Sequence, residues 1–240
     1  MTSVPGGTVI AVFARLDSKR LPGKALTSLA GRPLLGRVLD RVRAAAGPDE
    51  PVVLATSDRA VDDPIAAFGA DEGVAVFRGN GEDVAGRCLA CADAFGAARI
   101  VRISGDSPFI DGALLRAVIA RGGEADAPDL ATNVFPRTYP PGVSVESIAT
   151  AALRRMLAET ADRQDREHVT RYLYANPGRF RIANVAAPEG RYAGVALTVD
   201  TPDDLAKAEW IAARLDDPVS ADLDTIAALA RRYAGAATHA

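Results

Sequence analysis

Residues Thr8 to Ala14 read TVIAVFA, an unbroken apolar and largely β-branched run. That is the pattern of a strand buried on both faces, at the centre of a parallel sheet. It constrains everything after it, because parallel neighbours must be joined by crossovers, usually helical. The chain supplies them in order. Pro33 to Ala46 sets Leu34, Leu35, Val38, Leu39 and Val42 at helical spacing before a Gly47-Pro48 stop. Val52 to Ala55 reads as a second strand, Val61 to Phe68 as a short helix, Val74 to Phe77 as a third strand and Glu82 to Phe95 as a helix. Arg99 to Ile103 is a fourth strand, with a helix from about Asp111 to Arg121 after a Gly-Asp-Ser-Pro turn. The alternation predicts an α/β fold of right-handed βαβ units, with helices on both faces of a mostly parallel sheet.

From Gly122 to Gly142 the text turns to Gly, Pro, Asp and Asn with scattered aromatics, an excursion rather than a domain linker. Helices are predicted over Thr150 to Glu159 and Asp162 to Ala175, and strands over Phe180 to Ala183 and Ala196 to Val199. Thr201-Pro-Asp-Asp204 opens a helix to Leu215 with a capping Thr, a first-turn Pro and two acids at the positive end of the dipole. Ala221 to Ala234 is the last helix, and the expectation is one domain over residues 1–240.

Charge narrows the function. With 28 basic and 31 acidic residues the net charge is −3, which gives no reason to expect nucleic acid or an anionic membrane as partner. No apolar run reaches the roughly 18 residues of a spanning helix and the start MTSVPGG lacks signal-peptide features, so a cytoplasmic protein is expected. Cys88 and Cys91, with only His168 and His239 in the chain, cannot complete a zinc site, and they read as small buried residues. Lysine occurs only at 19, 24 and 207, so two of three fall in one short loop.

In an open parallel sheet, ligands bind beyond the carboxyl ends of the strands. The first such loop packs Arg15, Lys19, Arg20 and Lys24 into ten residues, with Ser18 and Gly23 between them. Concentrated positive charge beside backbone donors suits a polyphosphate, although a solvated basic loop is the alternative. It is not a P-loop: Ser18 stands for the first Gly and Ala25 for the magnesium-holding Ser/Thr. Further candidates are Thr56, Ser57 and Asp58 after strand two, and Arg78, Gly79 and Asp83 after strand three, where Asp83 is also a helix cap. Ser104, Gly105 and Asp106 follow strand four, and Asp200 ends the Leu-Thr-Val-Asp run. Asp106 and Asp200, two acids at strand ends, could converge on one magnesium opposite the basic loop.

Ala14-Arg-Leu-Asp-Ser-Lys-Arg-Leu-Pro-Gly-Lys24 resembles the A-R-M-G-S-T-R-L-P-G-K signature of SpsF-like cytidylyltransferases, a family related to the CMP-sialate and CMP-Kdo synthetases. Five more segments agree in order: Val76–Gly79 with Glu82–Val84 and Arg87, Val101–Pro108, Arg137–Pro140, Arg166–Thr170 and Leu197–Leu205. The resemblance implies a GT-A-like (Rossmann-like) nucleotide-diphospho-sugar transferase fold and magnesium-dependent transfer of CMP from CTP to a sugar-type acceptor, with pyrophosphate released. It implies that Ala14, Arg15, Ser18, Arg20 and Lys24 meet the nucleotide's phosphates. Thr56 to Asp58, Arg78, Gly79, Asp83, Ser104 and Gly105 would complete the nucleotide site. Arg15, Lys24, Asp106 and Asp200 would be catalytic, the two aspartates as metal ligands. Arg137, Tyr139, Glu146, Arg166 and His168 would face the acceptor or support the site, and a homodimer would form through about 130–190. A different nucleoside triphosphate, or a binding module without turnover, are the alternatives. The chain departs from the pattern at Asp17 (usually Gly), Lys19 (Thr), Ser107 (Cys), Pro141 and Ser144 (both Asp), and Lys19 is expected to offset Asp17.

Overall fold

The computed structural model describes Val4 and residues 6–237; His239 lies outside them. The first strand, β1 (Thr8–Phe13), lies inside a seven-stranded sheet, third from one edge and next to the central strand. It pairs in parallel with β4 (Val52–Ser57) on one side and β6 (Arg99–Ser104) on the other, and β5 (Ala75–Gly79) extends the sheet beyond β4. Side chains alternate as a pleated strand requires. Ile10 and Val12 join one core, and Val9, Ala11 and Phe13 join the other. The first core is closed by α1 (Leu34–Ala45), α4 (Gly112–Gly122), α8 (Pro202–Ala212) and α9 (Leu223–Ala237), with Ile65 of α2 (Asp63–Asp71). The second is closed by α3 (Val84–Ala94), α5 (Thr150–Glu159) and α7 (Arg171–Ala175), so helices cover both faces. A short hairpin of β2 (Ser28–Leu29) and β3 (Arg32–Pro33) leads into α1.

Three features differ from the sequence reading. The excursion contributes β7 (Leu130–Thr132) and, beyond it, β8 (Glu146–Ala149), which inserts antiparallel between β6 and β7. With β9 (Ile182–Asn184) parallel to β7, β8 is the one reversed strand in the seven-stranded order β5-β4-β1-β6-β8-β7-β9. The helix expected over 162–175 is two, α6 (Arg163–Glu167) and α7, parted at His168–Thr170. Residues 196–199 form no strand; the segment is held instead by Leu197 N–H to Pro141 O at 2.7 Å and Val199 N–H to Asp106 O at 3.1 Å. No helix among the described residues is long and apolar enough to cross a membrane.

Cys88 and Cys91 are buried free thiols on α3. Burial pushes both thiols up, Cys91 to about 12 and Cys88 further. Since the thiolate is the nucleophile, iodoacetamide at pH 8 should label neither in the folded chain and both once denaturant opens the second core, which mass spectrometry will count.

Candidate active site

The basic loop leaves β1 and is pinned from below. Buried Asp62 accepts the Leu16 N–H at 2.7 Å and also the Ser57 hydroxyl, while Thr56 Oγ1 donates to Ala14 O at 2.9 Å. Gly23, at φ +72, lets the loop turn into a short helical turn, Lys24–Leu26, with its N–H returning to Leu16 O at 3.0 Å. Gly105 is needed for a different reason. Its N–H donates to Phe13 O at 2.8 Å, and a Cβ there would lie 2.9 Å from that carbonyl and from Ala14 Cβ.

Asp106 follows β6, and Asp200 stands one residue before the Thr201 cap of α8. A capping box fixes the latter: Thr201 Oγ1 accepts the Asp204 N–H at 3.2 Å, and Asp204 accepts the N–H groups of Thr201 and Asp200 at 3.1 and 3.2 Å. Burial opposes ionisation of Asp204, but the Thr201 hydroxyl, the N–H groups of Asp200 and Thr201 and the charge of Lys207 outweigh it and hold its carboxyl below the usual range. The two acids then meet one ammonium. Lys24 Nζ donates to Asp106 Oδ2 at 3.0 Å, Asp200 Oδ1 at 2.7 Å and Val199 O at 2.8 Å, and Arg20 Nη2 pairs with the other Asp200 oxygen at 2.7 Å.

These groups border a cavity of about 490 Å³. Of the expected residues it gathers Ala14, Arg15, Ser18, Arg20, Lys24, Ser104, Gly105, Asp106, His168 and Asp200. Phe13, Val84, Arg87, Arg102 and Glu167, which lie outside the expected set, also line it. Arg87 and Arg102 sit over the Phe13 ring, their guanidinium carbons 5.8 and 6.0 Å from its centroid. Six basic side chains therefore face three acids across this space, a balance suited to a polyanionic ligand. A second cavity of about 430 Å³, lined by Arg102, His168, Thr170, Arg171 and Tyr174, shares Arg102 and His168 with the first. The break between α6 and α7 puts His168 on that shared wall.

Other expected site residues do not line the first cavity. Thr56 and Ser57 belong to β4 and are buried, supporting the loop from beneath. Asp58 hydrogen-bonds through its N–H to Gly79 O at 2.8 Å, and Arg78 is engaged by Ser57 O, Arg59 O and Asp63. Asp83 caps α3 through the Gly86 N–H and pairs with Arg166 at 2.8 Å, so these two tie α3 to α6 instead of facing ligand. Arg137 reaches Ser144, and Tyr139 stacks on Tyr192 at 5.6 Å. Asp17 pairs with Arg59 at 2.7 Å and Arg15 at 3.4 Å, which takes the place of the expected Lys19 contact.

Glu146 changes role most. It is buried in β8 and accepts from Arg102 Nη1 at 2.7 Å, Thr170 Oγ1 at 2.6 Å and Tyr174 Oη at 2.8 Å. It therefore orients three residues of the second cavity wall without facing that wall itself. Glu146→Ala would leave the largely buried Arg102 without its carboxylate, a loss of about 3–5 kcal/mol that thermal denaturation will read. Near-native stability with altered acceptor binding alone would return Glu146 to a ligand-facing role.

A family profile described as cytidylyltransferase matches residues 9–222. The spore coat polysaccharide biosynthesis protein SpsF of Bacillus subtilis is 33% identical over 198 residues, covering 80% of this chain and 81% of that protein. The 3-deoxy-manno-octulosonate cytidylyltransferase of Agrobacterium fabrum is 30% identical over 243 aligned positions, covering 85% and 95% respectively. Among solved structures, a cytidylyltransferase from Leptospira borgpetersenii superposes with a TM-score of 0.89 at 26% identity, over 95% of this chain and 96% of that one. Strand order, cavity and this likeness agree on a Rossmann-like nucleotidyltransferase architecture. The chain belongs to the cytidylyltransferase family and is a nucleotidyltransferase.

Proposed function

We propose that the chain transfers CMP from CTP to a sugar-type acceptor, whether sugar acid, sugar phosphate or phosphonate, releasing pyrophosphate with magnesium as cofactor. The observation that carries this reading is the meeting of Lys24 with Asp106 and Asp200 at the carboxyl edge of the sheet, beside Arg15 and Arg20. The names of the relatives, which act in polysaccharide biosynthesis or on 3-deoxy-manno-octulosonate, favour a sugar-type acceptor.

The acceptor oxygen forms a bond to the α-phosphorus as the bond from that phosphorus to the departing pyrophosphate breaks. Catalysis is then mostly positioning and charge neutralisation. Arg15, Ser18, Arg20 and Lys24 would hold the triphosphate. The donor set fits magnesium: Asp106 Oδ2 and Asp200 Oδ1 already converge on one cation, and two hard carboxylates plus substrate phosphates suffice. When bound there, magnesium would offset the charge of the phosphates. An ionised acceptor needs no general base, whereas for a hydroxyl acceptor His168, on the wall shared by both cavities, is the group to take its proton. Asp17, the one reason to suspect a module without turnover, is neutralised by Arg59 and Arg15. The reading includes a cytoplasmic homodimer formed through residues 130–190, which sedimentation will test.

A pyrophosphate-release screen of CTP against sugar acids, sugar phosphates and phosphonates, repeated with the other three nucleoside triphosphates, tests the whole. Release is expected to require CTP, magnesium and an acceptor together. Equal rates with another triphosphate, or CTP binding without release for every acceptor, would overturn it.

A further inference from the structure

An ammonium has three N–H donors, and those of Lys24 are all taken, by Asp106 Oδ2, Asp200 Oδ1 and Val199 O. Its side chain is only 12% exposed. Both carboxylates and a backbone carbonyl thus aim their oxygens at one point from separate segments, Asp106 behind β6 and 199–200 ahead of α8. Oxygen donors around one positive centre are also what a hard divalent cation takes, at about 2.1 Å for magnesium. An ion bridging the same two oxygens would fall in the gap that Nζ fills. Like charge as well as volume would then keep the two apart.

We propose that Lys24 and the divalent ion are alternative occupants of one position, so that the chain alone resists the ion and the triphosphate admits it by drawing Lys24 onto its phosphates. The inference rests on the magnesium-dependent reading above and adds an order to it: nucleotide and ion enter as a unit. In the chain without nucleotide, Arg20 pairs with the outer Asp200 oxygen. Lys19, in the same loop and on the same cavity, has no part in the clasp, which makes it a control for the loss of charge alone.

The experiment is calorimetric titration of Mn²⁺ into the full chain without nucleotide, for the wild type, Lys24→Met and Lys19→Met. Lys24→Met is expected to bind the ion at least tenfold more tightly than the wild type, and Lys19→Met to stay within about threefold of it. Equal affinities in all three would overturn the inference. A wild type that releases pyrophosphate despite that result keeps the proposed function and loses only the exchange; a chain that neither binds CTP nor turns it over loses the function itself. Should Lys24→Met fail to fold, amine acetylation of the wild type serves, since only three lysines need be resolved by mass spectrometry. Acetylation of Lys24, and not of Lys207, should rise as Mn²⁺ saturates the chain. Saturation that leaves Lys24 as protected as before would overturn the exchange.

Discussion

Asp106→Asn should lower the rate of CTP-dependent pyrophosphate release by about a thousandfold or more, at nearly unchanged thermal stability. The replacement keeps the shape of a side chain that is 24% exposed and removes only its charge, so the fold has little to lose. The reaction loses one of two carboxylates that would hold magnesium against the phosphates, and removing a single preorganised electrostatic contact commonly costs 10²–10³ in kcat, more where a metal ligand is involved. Because the lost contact acts on developing charge, kcat should fall much further than KM rises. Lysine substitutions sharpen the same point. Lys24 satisfies three oxygens arranged around one nitrogen, which a planar guanidinium cannot match. Lys24→Arg should therefore cost ~10²-fold, whereas Lys19→Arg should stay within about threefold. Unchanged turnover in Asp106→Asn, or equal effects at the two lysines, would place the chemistry elsewhere.

The parallel half of the fold was legible because burial on both faces leaves a mark in local sequence. TVIAVFA, VVLA and RIVRI read as strands without knowledge of their neighbours, and the structure extends the last two to Ser57 and Ser104. The antiparallel insertion leaves no such mark. Leu130–Thr132 and Glu146–Ala149 are three and four residues long, and the second begins with a charge. Glu146 is tolerable in a buried strand only because Arg102, 44 positions earlier, donates to it together with Thr170 and Tyr174. Pairings over such separations are settled by packing and cannot be read from spacing. The same holds for Arg166 and Asp83, 83 positions apart, which look like site residues in a motif yet pair with each other.

The cavity shows the opposite asymmetry. The basic loop and Asp106 were readable because topology fixes where strand ends lie; Asp200, expected at the end of a strand, stands in a segment without strand pairing and is placed by the Val199 N–H bond to Asp106 O and by the α8 cap. Arg87 and Arg102 were not readable, although both fall within motifs the resemblance used. Arg102 lies inside β6 and Arg87 inside α3, where a charged residue ordinarily reads as exposed or structural. Tertiary contacts turn them to the cavity: both pack on Phe13, Glu146 holds Arg102 and the Asn80 carbonyl holds Arg87. A signal existed nonetheless: an arginine within an otherwise apolar strand is expensive to bury and calls for a reason.

Gly142→Ala should cost about 3 kcal/mol or more of stability, roughly 6–12 °C in Tm for a chain of this size, and should impair turnover although the residue lines neither cavity. Gly142 adopts φ +97, a region L side chains rarely enter, and a Cβ there would overlap the Thr198 nitrogen and the Leu197 carbonyl carbon. Both obstacles are backbone, so no rotamer can relieve them. The 197–200 segment would have to move, and it is the segment that donates Leu197 N–H to Pro141 O and Val199 N–H to Asp106 O. It also carries the Val199 carbonyl and the Asp200 carboxylate that hold Lys24. A displacement there is transmitted to the acid pair with little slack, because the capping box of α8 fixes the Asp200 backbone from the other side. Gly178→Ala is the matched control: its Cβ would meet nothing within 4 Å and its φ is unexceptional, so stability and turnover should both hold. If Gly142→Ala melts with the wild type, the close approach of Pro141–Gly142 to residues 197–198 is not what holds Asp200 in register with Asp106.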